Sequence, residues 1–285
     1  MNFKRRFQYA TWFAFIALAA ALADGRSGTV HAQGKLDARY NITLAGIPVG
    51  RGTWVIDIAE DHFTASASGQ TAGLMRVLAS GHGQSVARGS IVGGQIAPST
   101  YTSSIHTDKK YDEVRMTISG GTVRDFAAEP AWTAPNRVPL TEAHRRGIAD
   151  PMTASLFRVP GNGTLFSAEA CPRKLSIFDG RMRYDLHLTF KRVEPVKAEK
   201  GYQGNAVVCS VIFSPIAGHV PDRAPIQYLA NLREIEVWLA PIAGTRVLAP
   251  YRVAVPTPLG LGVMQATQFV SNPQTGKASA SAKAQ

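Results

Sequence analysis

In the stretch RMRYDLHLTF, Met182, Tyr184, Leu186, Leu188 and Phe190 alternate with Arg181, Arg183, Asp185, His187 and Thr189 without a break. Such a period of two is a β-strand with one dry face and one wet face. YDEVRMTIS repeats the device with Val114, Met116 and Ile118, and LREIEVWLAP sets Ile235, Val237 and Leu239 opposite two glutamates. Comparable patterns predict strands at 36–47, 51–58, 62–68, 84–92, 99–107, 205–213, 245–255 and 261–270, with AGIPVG, SGG, DG and PTPLG as turns. Half-wet alternation belongs to antiparallel sheet, because parallel strands covered on both faces read as continuous apolar runs.

Helical signals are few. In ADPMTASLFRVPG, Asp150 is an N-cap, Pro151 opens the helix and Pro160-Gly161 stops it, which predicts about two turns over 151–158. TAGLMRVLAS puts Leu74, Val77 and Leu78 on one stripe, predicting a second short helix over 71–79. The Pro-rich stretch 129–150 reads as an ordered loop, since neither half of the chain alone holds a full set of paired strands. GRGTWV and GNGTLF read as turns. The prediction is a mainly β fold, a large curved antiparallel sheet, half-barrel or barrel-like, with two short helices. Some ten strands in one sheet must curl, pack as a sandwich, or enclose a ligand.

The N-terminus reads as an export signal. Lys4, Arg5 and Arg6 precede an uncharged apolar run from Tyr9 to Ala23, and Val30 and Ala32 occupy the −3 and −1 positions of a cleavage site before Gln33. An earlier cut after Ala23 is the alternative. The run is shorter than the roughly 20 residues that span a bilayer, so no transmembrane span is predicted in the mature chain. The organisation expected is a signal peptide over 1–32, one β-rich domain over 33–270, and a disordered tail over 271–285 that has almost no apolar side chain to bury. The net charge is +11, and about +8 would remain after cleavage, carried by scattered residues that identify no partner. Nucleic acid binding is not predicted. A periplasmic location is.

Export bears on the two cysteines. Counting back along a hairpin with Asp179-Gly180 as a two-residue loop pairs Phe178 with Arg181 and puts Cys171 opposite Leu188, on the dry face. Cys209 in AVVCSVIF shares a face with Val207, Val211 and Phe213. Thiols aimed at apolar surroundings are poor nucleophiles, and an even pair in an oxidising compartment forms a disulfide. Cys171 and Cys209 are predicted to be joined. No histidine lies near them at metal-ligand spacing, so no metal site is predicted.

Catalytic signatures are missing. The seven histidines are isolated, and no zinc-protease, nucleophile-elbow, P-loop or dinucleotide motif occurs. The best acid–base pair that can be assembled is Asp185 with His187, two apart on one wet face beside Arg181 and Arg183. Such neighbours are ordinary cross-strand partners far more often than catalysts. No catalytic residue and no cofactor is predicted.

Several segments together resemble a known family: ADPMTASLFRV, CPRKLSIFDGRMRYDL, GNAVVCSV, LREIEVWLAP and RVLAPYRVAVPTPLGLGVM. The signature parts are Asp150-Pro151, the Cys171 and Cys209 pair, Asp179-Gly180-Arg181 with Tyr184 and Asp185, and the closing VWLAP and TPLG. They are similar to an exported Gram-negative family catalogued as domain of unknown function 3108, over roughly 36–270. The resemblance implies export and β architecture and brings no catalytic residue with it.

At fold level only, an open antiparallel sheet with few helices is similar to the half-barrels of periplasmic lipid carriers. Two functional readings lead: a carrier of a lipid or other apolar envelope molecule, and a structural or assembly factor binding envelope proteins. An enzyme is third. In the carrier reading, Met182, Tyr184, Leu186 and Leu188 line a concave pocket under a lid of Leu74, Met75, Met152 and Leu156. The competing expectation is that these residues pack into a closed core.

Overall fold

The computed structural model describes residues 33–73, 80–131, 133–171 and 173–274. Segment 1–32, with the signal and Ala32, and the lid residues Leu74 and Met75 lie outside the described residues. So does 275–285.

Seven strands follow one another through the first half: β1 Gly34–Leu44, β2 Ile47–Ile58, β3 His62–Thr71, β4 Gly81–Val92, β5 Gln95–Thr107, β6 Tyr111–Ser119 and β7 Thr122–Glu129. The rest are β8 Phe157–Arg158, β9 Arg173–Phe178, β10 Arg183–Lys197, β11 Lys200–Gly201, β12 Gln203–Ala217, β13 Ile235–Pro241, β14 Val247–Thr257 and β15 Gly260–Pro273. All belong to one 15-stranded sheet, whose order is β7-β6-β5-β4-β3-β2-β1-β15-β14-β13-β12-β10-β9. The expected curved antiparallel architecture is present, and only the short β11 pairs in parallel among the named strands, with β15.

The two edge strands do not pair with each other. A strap of chain, 146–149, lies between them. Thr122 of β7 bridges Arg146, Ile148 N–H donates to Gly121 O at 2.9 Å, and Ala149 bridges Ile177 of β9. Side chains close the same seam: the Phe126 and Phe178 rings meet edge to face at 5.7 Å. Arg181 forms an ion pair with Asp112 at 3.0 Å and donates to the carbonyls of Glu129 and Pro130. This is what the Pro-rich loop over 129–150 does, and β7 beside it was not predicted.

Two cores result, one on each face of the sheet. Inside the curve lie Leu36, Ile56, Phe63, Tyr101, Met116, Phe178, Trp238 and Phe269. Outside it, Phe157, Val159, Leu188, Val207, Cys209, Val237, Leu239 and Leu248 form a second core, with Leu229 packed against it. Successive residues of β12 and β13 alternate between the two, Ala206 and Val208 inward, Val207 and Cys209 outward. Leu229 belongs to a helix the sequence reading missed, α2 at Ala224–Asn231, which follows α1 at Pro151–Ala154.

Several local expectations are corrected. The helix begins as expected: the Asp150 carboxylate accepts from Met152 N–H and Thr153 N–H, both at 2.9 Å. It lasts one turn instead of two, because Ser155 Oγ donates back to Pro151 O and the following Phe157 and Arg158 pair with β14 as a strand. The β9–β10 hairpin turns through four residues rather than two, pairing Phe178 with Arg183. Asp179 sets this turn by accepting from the N–H groups of Arg181 at 2.8 Å and Met182 at 2.7 Å. Gly180 is required there, with φ +92° and an added Cβ only 2.3 Å from Val114 of β6. The shift is two residues, so side-chain parity survives, and Tyr184, Leu186 and Leu188 keep their common face. Phe190, at the end of that series, is exposed. GRGTWV lies inside β2 and is no turn. Strand β15 carries order through Pro273, past the predicted start of the tail, and Ser271 Oγ accepts from Ala243 N–H.

Candidate functional site: the open mouth of the sheet

Antiparallel alternation places the β1–β2, β3–β4, β5–β6 and β14–β15 connections at one edge of the sheet. Just inside that edge, the inward row across five strands reads Ile42, Gly50, Thr71, Gly81, Thr107. The next inward row reads Tyr40, Gly52, Gly69, Gly83, Ile105. Farther in, the rows carry Leu36, Ile56 and Tyr101, and the curve is full. Glycines have no side chain to contribute, so among the described residues the interior thins out from packed to empty towards the edge. The result is an open cavity of about 480 Å³ whose walls include Ile42, Val49, Ala67, Gly69 and Ile105.

The rim is apolar as well. Ile47 follows the β1–β2 turn, and Leu259 and Leu261 belong to the β14–β15 tip. Their exposures are 55%, 74% and 43%. The two tips are joined by Ala45 N–H donating to Leu261 O at 3.0 Å. Exposed apolar residues scattered singly need no explanation, but three on touching hairpin tips at the lip of an apolar cavity form a patch. In the innermost row of the cavity, Trp54 pairs with the wall residue Ala67, and among the described residues its buried Nε1–H has no hydrogen-bond partner.

The residues predicted to line a pocket are not brought together. Leu156 is buried in the inner core and Met152 packs against it, whereas Leu188 and Leu186 belong to the outer core on the far side of the sheet. Tyr184 is half-buried with its ring 5.5 Å from that of Phe213, and Met182 is half-buried in the turn. Of these, Tyr184 and Met182 belong to neither core. Cys171 and Cys209 are joined, with Cα atoms 5.7 Å apart, and both are fully buried in the outer core. The mouth itself went unread. Its signal was glycine at alternate positions in VGRGTW and SGHGQ, with Gly69 in register between them.

Nor does the Asp185 and His187 pair make an acid–base site. Arg183 and Asp185, expected on a wet face, are both buried. Asp185 takes Arg183 Nη1 at 2.6 Å, Lys174 Nζ at 2.8 Å and the Ser176 hydroxyl at 3.0 Å, while His187 is exposed. Burial alone would raise its carboxyl, but the bonds from Lys174 and Arg183 outweigh that and hold it below the usual carboxylate range. Glu236 is lowered in the same way by Arg192 and Lys191. Asp150 is the opposite case, raised by burial against its hydrogen bonds. No group of three or more potential metal ligands occurs among the described residues.

A pH dependence follows with a definite sign. Lowered folded-state carboxyls give stability that is present above their unfolded pKa of about 4 and is lost as pH falls through the folded value. The denaturation midpoint should therefore fall below about pH 4, and Asp185→Asn should flatten that fall while lowering stability at neutral pH. An unchanged acid slope in Asp185→Asn would show that the ion pairs do not carry it.

Comparison with known proteins adds a family. The model of the family described as "Protein of unknown function (DUF3108)" matches residues 39–267. This chain belongs to that family. A search of curated proteins finds no match. Among solved structures, the chain is similar to a beta-barrel-like protein of domain of unknown function DUF1849 from Brucella abortus, at 9% identity and a TM-score of 0.48. That alignment covers 85% of this chain and 98% of the other. In this DUF3108 member no helix among the described residues is long and apolar enough to cross a membrane.

Proposed function

We propose that this protein is an exported, non-catalytic binding protein that holds the apolar part of an envelope molecule, such as an acyl chain, in the glycine-lined mouth of its sheet. One observation carries the reading: five inward positions that would hold side chains in a filled sheet are Gly50, Gly52, Gly69, Gly81 and Gly83. The cavity they leave, about 480 Å³, is within the range of small-molecule sites. Each methylene buried there contributes about 0.8 kcal/mol, before the cost of ordering the chain. At Gly69, where an added Cβ would meet nothing closer than Arg51 O at 3.7 Å, a purely structural sheet would gain packing energy by filling the position. Export is supported by the character of residues 1–32 and by a buried disulfide that an oxidising compartment favours.

Native mass spectrometry of protein purified from the cells that make it tests both parts together. The expected species begins at Gln33 and carries a co-purifying lipid-sized ligand that dissociates on denaturation. A chain beginning at Met1 would refute export, and ligand-free protein that also ignores added fatty acid would refute binding.

A further inference from the structure

On the outward face of β1 to β6, directly behind the mouth, the same register builds a polar row across six strands: Asn41, Arg51, Gln70, His82, His106 and Tyr111. Strands about 4.8 Å apart make this row about 24 Å long. Arg39 and Gln84 stand in the adjacent row, and the groove over them has a volume of about 810 Å³.

Its side chains are poised but unused. Among the described residues, Arg39, Asn41, Arg51, Gln70 and Gln84 make no side-chain hydrogen bond or ion pair. Elsewhere Arg115, Arg145 and Arg192 each hold a carboxylate. At the far end of the row the His82 and His106 rings stack, with centroids 5.2 Å apart and planes within 8°, and the Tyr111 ring lies 4.8 Å beyond. Among the described residues Glu199 is the only acid lining the groove, against two arginines.

We infer that this groove binds an acidic oligosaccharide. The chemistry matches part by part. Paired amide donors and acceptors on Asn41, Gln70 and Gln84 suit sugar hydroxyls, and a flat ring platform suits a pyranose face. Unpaired guanidinium forks suit carboxylates. A row of about 24 Å suits a chain of sugars rather than one. The groove lies on the opposite face of the sheet from the mouth, so the inference stands apart from acyl-chain binding.

Calorimetric titration with hexagalacturonate, maltohexaose and polyphosphate tests it. The full chain should bind hexagalacturonate at least about tenfold more tightly than either of the others, since only it offers both charge and sugar faces. Arg51→Gln should weaken that binding by about tenfold, and His82→Ala should weaken it without adding salt sensitivity. Both residues are exposed, and unchanged thermal unfolding would show that the variants remain folded. Equal binding of maltohexaose would overturn the acidic class, and equal binding of polyphosphate would overturn the saccharide class. Hexagalacturonate binding that is absent, or indifferent to Arg51→Gln, would remove the site.

Discussion

Breaking the Cys171–Cys209 bond should cost about 4 kcal/mol, the chain-entropy value for a loop of this length. The two residues are 38 apart in sequence, and both are fully buried beside Phe157, Leu188 and Leu248. Cys171 lies beyond the paired part of β9, at the end of a 3-10 turn over Ala168–Ala170, so the bond fastens segment 157–171 over the outer core. Urea unfolding of Cys171→Ser and Cys209→Ser should show the same large loss, with ligand chemistry intact. A loss below about 1 kcal/mol in both would mean that outer-core packing alone holds this segment.

The second large effect is at the seam. Phe178 is fully buried, meets Phe126 edge to face at 5.7 Å, and donates its N–H to Ala149 O at 3.0 Å. The Arg145 guanidinium lies over the other ring of the pair, 4.3 Å from the Phe126 centroid. Phe178→Ala removes a fully buried ring from the seam between β7 and β9, and should destabilise by about 3 to 5 kcal/mol. Hydrogen exchange should then reveal early opening of the strap amides, Ile148 and Ala149, ahead of those in β1 and β2. Uniform exchange across the sheet in this variant would show that the strap is no separate unit.

How much of this was legible in the sequence depends on whether a residue's fate was local. Alternation in β6, β10 and β13 announced antiparallel sheet because period two is a property of each strand alone. The disulfide was legible from an even pair of cysteines in apolar surroundings, although the hairpin count that set Cys171 opposite Leu188 does not hold: Arg173 pairs there, and Cys171 lies beyond the strand. What depends on distant partners was hidden. Arg183 and Asp185 look wet on their own strand, and become buried because Lys174 and Ser176 of β9 complete an ion-pair cluster beside them. AVVCSVIF is apolar at successive positions because both faces of β12 are covered, a pattern that half-wet alternation elsewhere obscured. The mouth needed register across three strands before Gly52, Gly69 and Gly83 could be seen to stand in one row.

Gly69 gives the most direct test of the binding claim. It lies at the centre of the inward glycine row, its φ is not in the left-handed region, and an added Cβ meets nothing closer than Arg51 O at 3.7 Å. Gly69→Leu should therefore fold normally while filling the cavity. Titration of a fluorescent fatty-acid probe, read by energy transfer from Trp54 in the adjoining row, should saturate with the parent protein and fail with Gly69→Leu at matched stability. Equal probe binding by both proteins would contradict the account.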